Sequence, residues 1–226
     1  MQLSLRDVAR LLRVPEESVY RWVDKEELPA MRVNDRYYFN KSELLEWAAL
    51  RRIDVSPEIF GTVPVGNGVL PTITAALEAG GIYYDVGGPS RDLALREVVG
   101  CLPLPSDYDR ETLLDLLIAR EQHASTGIGE GIAIPHPRTP IVTPADEPRL
   151  ALCFLRESVS FGARDGLPVQ IVFLLMAPNV RTHLHLLARL ACLLRDSDFR
   201  SVVLKKGAPA EILAAARRSE AAVISS

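Results

Sequence analysis

A stretch rich in proline and glycine, residues 55–71, divides the chain into two parts of different character. The run VSPEIFGTVPVGNGVLP contains three prolines and three glycines and shows no apolar periodicity, which is typical of a linker. The length of 226 residues allows one to two domains. We therefore predict a first domain over residues 1–54, a linker over 55–69 and a second domain over 70–220.

The composition is that of an ordinary globular protein. Hydrophobic residues make up 48% of the chain and charged residues 24%, which excludes a disordered chain, a collagen-like repeat and a small disulfide scaffold. The longest apolar run, 169–178, has the length of a buried strand and falls short of the ~18 residues that a membrane span needs. We expect no secretion signal, because the N-terminus lacks a basic region followed by an apolar stretch. The three cysteines, Cys101, Cys153 and Cys192, show no pairing or metal-site spacing, so we expect reduced core thiols in a cytoplasmic protein.

The charge balance shows no polycation. The formal net charge is −3 at pH 7, and residues 1–52 carry ten Lys and Arg against nine Asp and Glu. Residues 53–226 carry 16 Lys and Arg against 20 Asp and Glu. Composition alone therefore does not predict nucleic-acid binding, and such a role must rest on a motif.

The first domain shows the pattern of a small helical domain with a hairpin. Ser4 is a good N-cap for a first helix, and Pro15 suits the start of a second helix. Asn34-Asp35 lies between two strand-like runs, MRV and RYYF, and predicts a two-residue hairpin turn. A capping box at residues 40–43 predicts a third helix.

This order of elements, with the runs SVYRW and LPAMRVNDRYYFNKSELLEW, resembles the winged helix-turn-helix of the MerR and excisionase type over about 50 residues. In that family the second helix enters the major groove of DNA, and the hairpin, or wing, contacts the DNA backbone. The resemblance implies that four residues face DNA: Ser18, Tyr20, Arg21 and, at the wing tip, Arg36. We expect Trp22 to pack against the wing.

Three positions depart from the pattern of that family. Glu16 and Glu17 stand where its members usually carry Ser, Arg or Thr, and their carboxylates would repel DNA phosphates. Tyr38 replaces a frequent cation of the wing. Docking of this domain to another protein is therefore an alternative to DNA binding.

From residue 70 onward, helical and strand-like patterns alternate. We expect strands at 82–86, 132–135, 150–156 and 169–176. Helices are expected at 70–79, after the caps Ser90 and Asp109, and at 182–195, 196–205 and 208–218. The predicted fold class is α/β: a C-terminal α/β sandwich with a mixed sheet flanked by helices, plus the small N-terminal winged helix-turn-helix domain.

The run STGIGEGIAIPHPR, residues 125–138, is the most informative part of the second domain. In this glycine-rich loop, Gly127, Gly129 and Gly131 allow backbone N–H groups to converge on an anion. His136 follows a short apolar strand and lies between two prolines, and the second of these favours an extended backbone. A reactive histidine needs such fixed geometry. We expect its ring to be at least partly exposed.

This run, with SFGARDGLPVQIVFLLMAP and THLHLLARLACLL, closely resembles enzyme IIA of the bacterial phosphoenolpyruvate-dependent phosphotransferase system, in its fructose/mannitol and nitrogen-regulatory branch. The resemblance spans roughly residues 70–218. It implies a phosphocarrier in which His136 accepts a phosphoryl group, through Nε2, from the histidine of the small carrier HPr or its nitrogen-branch counterpart. It implies no metal and no nucleotide cofactor. A IIB-like acceptor or a regulated target protein would be the next partner.

The same resemblance and the chemistry of the side chains give roles to residues near the reactive histidine. Arg120 lies at the C-terminal end of a predicted helix, from where its guanidinium can reach the glycine-rich loop and bind phosphate. Ser125, Thr126 and the backbone of Gly127 and Gly129 would bind the phosphoryl oxygens or only shape the turn. Arg120 could also be a solvated cation at the helix end.

Two histidines of a later helix, His183 and His185, lie ~200° apart around its axis, so they cannot both face the site. His183 lies in the first turn, where the helix dipole favours a neutral ring, and it matches the second active-site histidine of the family. His185 is the second choice, and we expect His123 on the surface. A metal site that includes His136 would lack Cys, Asp or Glu at ligand spacing. A general acid–base enzyme with His136 as base would lack a partner motif.

The sequence thus predicts a cytoplasmic regulatory phosphocarrier of the transferase class with DNA binding by its N-terminal domain. The alternative from another class is a transcription regulator whose IIA-like domain is a non-phosphorylated sensor or protein-docking module. The intact run at residues 125–138 favours phosphotransfer over this alternative.

Overall fold

The chain forms two compact units, Met1–Val69 and Leu70–Ser226. The computed structural model describes residues 2–25, 28–33, 36–40, 44, 47–48, 51, 53, 70–106, 108–137, 147–163 and 165–224. Three predicted features lie outside the described residues: the linker at 55–69, the hairpin turn at 34–35 and most of the capping box at 40–43.

Within its described residues, the first unit combines a small antiparallel sheet with helices. The elements are β1 (Gln2–Ser4), α1 (Leu5–Leu12), α2 (Glu16–Asp24), β2 (Met31–Val33) and β3 (Arg36–Asn40). The strands pair in the order β1–β3–β2. Ser4 caps α1 as predicted, because its hydroxyl accepts the Asp7 N–H at 3.2 Å and the Asp7 carboxylate accepts the Ser4 N–H at 3.0 Å. Strand β1 is not predicted by the sequence, since three residues are too few for an alternating pattern.

Both large rings of α2 make aromatic contacts. The Trp22 ring packs against Trp47, with ring centroids 5.0 Å apart. Tyr20 contacts the wing, since its ring meets Tyr37 of β3 edge-on at 6.0 Å. Packing of Trp22 against the wing stays a prediction.

The second unit is an α/β sandwich. Its elements in chain order are α3 (Ile73–Gly80), β4 (Ile82–Val86), α4 (Arg91–Cys101), α5 (Arg110–His123), β5 (Gly127–Gly129), β6 (Ile132–Ala133), β7 (Arg149–Val159), β8 (Val169–Met176), α6 (Val180–Arg195), α7 (Ser197–Leu204) and α8 (Pro209–Ile224). The strand order is β4–β7–β8–β6–β5. The pairs β4/β7 and β6/β8 are parallel, whereas β7/β8 and β5/β6 are antiparallel. The predicted mixed sheet flanked by helices is confirmed.

Both faces of the central strands are buried. Alternate residues of β7 and β8, such as Cys153 and Val172, form one core with the apolar sides of α4 and α5. Helix α3 packs closely on β7. Gly80 permits this approach, because a Cβ at its position would overlap the Leu150 backbone. No helix within the described ranges is both long and apolar enough to cross a bilayer.

The cysteines differ in their exposure. Cys153 is buried and Cys101 partly buried, but Cys192 is exposed, so the expectation of a core thiol is wrong there. Cys192 lies within an apolar run, yet the following residues Leu193 and Leu194 turn toward the core and leave it on the outer side of α6. A local apolar context does not determine which face of a helix a residue occupies.

A buried carboxylate joins the two ends of the second unit. Glu220 of α8 accepts the N–H groups of Ile73 and Thr74 at 2.6 and 3.1 Å and the Thr74 hydroxyl at 2.7 Å. The first N–H groups of a helix have no partner within the helix. Glu220, only 4% exposed, therefore caps α3 from the far end of the unit.

We expect Glu220→Ala to lower the free energy of unfolding of the second unit by about 2–3 kcal/mol, because three buried donors lose a charged acceptor. Urea denaturation followed by far-UV circular dichroism measures the loss. Glu78→Ala is the matched control on the same pair of helices: its exposed ion pair with Arg217 is worth at most about 1 kcal/mol. Equal losses in the two variants would contradict the capping role.

Candidate functional site

His136 lies where two parallel strands end side by side. Strand β6 runs parallel to β8, with Ala133 opposite Val172. Beyond β6, the Leu175 N–H donates to the Pro135 carbonyl at 3.1 Å, so the chain continues along β8 up to the histidine. His136 therefore lies at the carboxyl end of β8.

The helix that follows β8 brings a second histidine to the same place. Asn179 caps α6, since its side-chain oxygen accepts the Thr182 N–H at 2.9 Å and its carbonyl accepts the His183 N–H at 3.0 Å. The ring of His183 then faces that of His136, with centroids 5.0 Å apart and planes inclined by 55°. The structure thus brings together the two histidines that the sequence singles out.

The hydrogen bond of the His136 ring defines its tautomer. Nδ1 lies 2.7 Å from the Ile134 carbonyl oxygen. A carbonyl only accepts hydrogen bonds, so Nδ1 carries the proton and the lone pair of the neutral ring is on Nε2. Burial and the positive charge of Arg120 lower the pKa of His136 to about 4, although Ile134 and Glu121 act in the opposite direction. The ring is therefore neutral at pH 7, with a nucleophilic Nε2.

The exposure of His136 corrects another expectation. The residue is wholly buried, at 0% exposure, and not partly exposed as the sequence suggests. The hydrogen bond to Ile134, two residues back along the chain, folds the ring onto the end of its own strand, where it also meets His183. The two flanking prolines indicate a fixed backbone but not the direction of the ring.

Arg120 places a buried cation near both rings. It lies in the last turn of α5 with 6% exposure, and its Nη1 donates to the Ala124 carbonyl at 2.7 Å. Its charge lowers the pKa of His136, and burial, His136 and Arg120 together lower that of His183 to about 3. Arg120, His136 and His183 thus form one cluster of side chains, here named the histidine site.

Glu121 is a member of this region that the sequence does not identify. Its buried carboxylate accepts the Thr126 N–H at 2.9 Å and the Thr126 hydroxyl at 2.6 Å. These bonds fix the turn between α5 and β5. The sequence does contain a pattern that could have identified it. Glu121 lies at the end of a predicted helix and only five residues before Thr126, which is close enough for its carboxylate to bind the turn that follows the helix.

The glycine-rich run forms a hairpin, which corrects the expectation of a loop. Gly127 and Gly129 belong to β5, which pairs with β6. The turn residues Glu130 and Gly131 both have positive φ, at 56° and 75°, as a type I′ turn requires. Glu130 is held in this conformation because the Asp165 carboxylate accepts its N–H at 2.6 Å.

Several donors of the predicted phosphate-binding residues already have partners within the chain. The Gly127 N–H donates to Ser125 Oγ at 3.0 Å, and both donors of Thr126 bind Glu121. Phosphate binding by Ser125, Thr126, Gly127 and Gly129 stays a prediction. A phosphoryl group would have to displace these contacts or be held chiefly by other side chains of the histidine site.

The two other histidines lie elsewhere. His185 is turned away from the histidine site, and its Nε2 lies 3.1 Å from the carbonyl of Pro71. His123 is exposed at the end of α5. In the described part of the chain, no group of three or more His, Cys, Asp or Glu side chains could hold a metal ion.

The predicted DNA-facing residues lie on α2 and beside the hairpin turn. On α2, Ser18 is partly buried while Tyr20 and Arg21 are exposed, and Arg36 begins β3. Glu16 forms an exposed ion pair with Arg6 at 3.4 Å, which partly offsets the repulsion of phosphate that its charge predicts. DNA contact by these residues stays a prediction.

Comparison with known families agrees with this geometry. The model of the family described as phosphoenolpyruvate-dependent sugar phosphotransferase system, EIIA 2, matches residues 78–218. A helix-turn-helix domain model matches residues 3–52. The first match covers more than half of the chain, so this protein belongs to the EIIA 2 family, and both resemblances seen in the sequence are confirmed.

Individual relatives point the same way. The nitrogen regulatory protein of Pseudomonas aeruginosa is 37% identical over 128 residues, which cover 55% of this chain and 80% of the relative. The fructose-specific EIIABC component of Bacillus subtilis is 32% identical over 136 residues, which cover 59% of this chain but only 21% of that longer protein. The crystal structure of nitrogen regulatory protein IIA-Ntr from Neisseria meningitidis superimposes with a TM-score of 0.52 at 29% identity, covering 60% of this chain and 92% of that structure.

We expect His136 to be the neutral Nδ1–H tautomer at pH 7. Long-range ¹H–¹⁵N correlation spectra detect this directly, and His136→Gln assigns the signals. Because its pKa is lowered to about 4, the ring should stay neutral on acidification well below the pH at which free histidine, with a pKa of about 6.5, takes up its proton in the same series. A ring protonated on Nε2 at pH 7 would contradict the hydrogen bond to Ile134.

Proposed function

We propose that this protein is a regulatory phosphocarrier in which Nε2 of His136 accepts a phosphoryl group from the phosphohistidine of an HPr-like carrier or its nitrogen-branch counterpart. The observation that carries the proposal is the hydrogen bond from Nδ1 to the Ile134 carbonyl, which leaves the lone pair on Nε2. Membership of the EIIA 2 family supports a phosphohistidine donor.

The transfer needs only a nucleophile and a donor. The Nε2 lone pair attacks phosphorus, the P–N bond of the donor breaks, and its electron pair returns to the donor ring. The Nδ1 proton of His136 stays in its bond to Ile134, so the carbonyl stabilises the positive charge that the acceptor ring gains. The low pKa of His136 keeps Nε2 free of a proton at neutral pH.

Two neighbours can hold the transferred group. A phosphoryl group carries about −1.5 to −2 charges at pH 7. Arg120 offers a buried guanidinium, and His183 offers a neutral ring that donates one N–H. Charge-assisted hydrogen bonds of this kind contribute about 1.5–3 kcal/mol each. The group then passes to a IIB-like acceptor or acts as a signal toward a regulated target protein in the cytoplasm.

One observation favours the alternative, a non-phosphorylated sensor or protein-docking module. His136 is wholly buried, so a donor reaches Nε2 only after neighbouring side chains move. Phosphotransfer and docking therefore differ in one measurable respect, which is whether the ring becomes accessible to a donor protein.

Incubation with phosphoenolpyruvate, enzyme I and HPr should add one acid-labile, base-stable phosphoryl group, detected by intact mass. His136→Ala should abolish the addition, because the acceptor nitrogen is lost, and circular dichroism checks that the fold persists. Phosphorylation that persists in this variant would reject His136 as the acceptor. An unmodified wild-type protein would favour the sensor alternative.

Accessory variants in the same assay test the histidine site. Arg120→Ala and His183→Ala should slow the transfer about tenfold or more, as the loss of one charge-assisted hydrogen bond of 1.5–3 kcal/mol predicts. His123→Ala, on the surface, should leave the rate unchanged. If His185→Ala slows the transfer and His183→Ala does not, the wrong face of α6 has been assigned to the site.

The second part of the proposal concerns the first unit. We propose that this unit binds DNA and that phosphorylation of His136 weakens the binding. The family match over residues 3–52 and the exposed Tyr20 and Arg21 on α2 support DNA binding. Phosphorylation adds negative charge to a part of the chain in which acidic residues already outnumber basic ones. The added negative charge would compete with DNA phosphates for cations of the first unit such as Arg21.

Helix α6 offers a route for this coupling. His183 on α6 contacts His136, and His185 on the same helix hydrogen bonds to Pro71, two residues beyond the proposed linker. A shift of the first turns of α6 would therefore also move the point where the linker joins the second unit. His185 is a positioning residue in this proposal and takes no part in the chemistry.

We expect phosphorylation to reduce the retention of a pool of genomic DNA fragments, and the binding to weaken steeply with salt. His136→Asp serves as an imperfect charge mimic. His185→Ala should be phosphorylated at the normal rate but lose the difference between the two states. Equal retention of wild-type and phosphorylated protein would dismiss the coupling, and no retention at any salt concentration would assign the first unit to protein docking.

A further inference from the structure

A series of hydrogen bonds leads from the carboxylate of Glu121 to the ring of His136. The carboxylate accepts the Thr126 N–H at 2.9 Å and the Thr126 hydroxyl at 2.6 Å. The Thr126 carbonyl in turn accepts the Ile134 N–H at 3.1 Å. The Ile134 carbonyl then accepts the Nδ1 proton of His136 at 2.7 Å. An acid of α5 is therefore connected to the histidine through two intermediate residues.

Every member of this series is buried. Glu121, Thr126, Ile134 and His136 are each at most 4% exposed. A buried polar group that loses its partner is not compensated by water and carries the full cost of its desolvation. The series therefore favours one arrangement of the turn after α5, of the end of β6 and of the ring.

The series transmits position rather than charge. The N–H and the carbonyl of one residue belong to different peptide groups, so no conjugated path joins the Glu121 carboxylate to the ring. What the bonds fix is the direction of the Ile134 carbonyl. Thr126, just before β5, holds the Ile134 N–H on one side, and on the other side the next carbonyl, that of Pro135, accepts the Leu175 N–H of β8 at 3.1 Å.

The direct effect of the Glu121 charge on the ring is small by comparison. Burial and the Arg120 charge lower the pKa of His136, and the hydrogen bond to Ile134 opposes them more strongly than the Glu121 charge does. Glu121 therefore influences the ring more through the residue that it helps to hold than through its own charge.

We propose that Glu121 is a positioning residue for His136: by holding Thr126, it aims the Ile134 carbonyl at Nδ1 and so keeps the lone pair on Nε2. The hydrogen bond at one ring nitrogen decides which nitrogen of a neutral imidazole carries the proton. This inference rests on the proposed function, in which that lone pair is the nucleophile. Glu121 acts only through Thr126 and Ile134 and takes no part in the transfer itself.

Two substitutions of Glu121 separate position from charge. Glu121→Gln keeps the length of the side chain and its capacity to hydrogen bond to Thr126, but it removes the charge. Glu121→Ala removes both contacts. Long-range ¹H–¹⁵N spectra at pH 7 should show the Nδ1–H tautomer of His136 in the wild-type protein and in Glu121→Gln, and a mixture of the two tautomers in Glu121→Ala.

Glu220→Ala is the matched control for a loss of stability. It removes a buried capping carboxylate of the same unit, whose hydrogen bonds go to α3 and not to this series. The Nδ1–H tautomer of His136 should persist in it. Should Glu121→Ala not fold, Thr126→Val, which removes only the hydroxyl bond to Glu121, should shift the tautomers in the same direction.

The variants are then compared in phosphotransfer from phosphorylated HPr. In Glu121→Ala, kcat should fall about tenfold, the effect typical of removing an outer partner that orients a functional histidine. The KM for the donor should stay unchanged, because Glu121 is buried and presents no surface to a docking protein. Glu121→Gln should have a kcat close to that of the wild-type protein.

Three results would overturn the positioning role. One is an unchanged tautomer of His136 in Glu121→Ala whose fold is verified by circular dichroism, or in Thr126→Val where that variant takes its place. The second is an equal change of tautomer in Glu220→Ala, which would reveal a general effect of lost stability. The third is a kcat in Glu121→Gln as low as in Glu121→Ala, which would assign the effect to charge. The spectra need no donor, so a wild-type protein that is never phosphorylated would reject the phosphocarrier function without altering the spectroscopic test.

Discussion

Strand β6 has only two residues, and its parallel pairing with β8 aims the following residues at the start of α6. Parallel neighbours end at the same edge of a sheet, which is where α/β proteins commonly place their sites. The other side of β6 is held by the hairpin to β5, whose tip is fixed by two further elements. Asp165 binds the backbone of Glu130, and Arg200 of α7 forms an ion pair with the Glu130 carboxylate. The position of His136 therefore depends on strand pairing at both edges of a very short strand.

Electrostatics then sets the chemical state of the site. Burial of both rings and the nearby Arg120 cation disfavour imidazolium, so both histidines are neutral at physiological pH. A buried cation costs free energy unless negative charge compensates it. For a phosphocarrier this arrangement is productive, because the same cation that keeps Nε2 unprotonated would stabilise the incoming phosphoryl group. A single residue, Arg120, would thus serve the state before and the state after transfer.

Local sequence patterns predict much of the fold. They do not predict which side chains are buried or which residues far apart in the sequence are in contact. The caps Ser90 and Asp109 and the helices after them follow from local hydrogen bonding, and the structure confirms them. Helical geometry shows that His183 and His185 cannot both face the site, and the first-turn position and the family resemblance favour His183. The structure places His183, and not His185, beside His136. The burial of the His136 ring and the cap from Glu220 onto α3 depend on elements far apart in the chain, and no local pattern contains them.

The first turns of α6 have a special position in this molecule. His183, in the first turn, lies against the buried ring of His136. His185, two residues further along the helix, contacts Pro71, which is two residues beyond the proposed linker. A donor protein can reach Nε2 only if something near the ring moves, and α6 begins with an exposed apolar residue, Val180. If the opening occurs there, the motion that admits the donor also disturbs the hydrogen bond between His185 of α6 and Pro71. On the proposed function, access to His136 and displacement of Pro71 would then be two consequences of one movement.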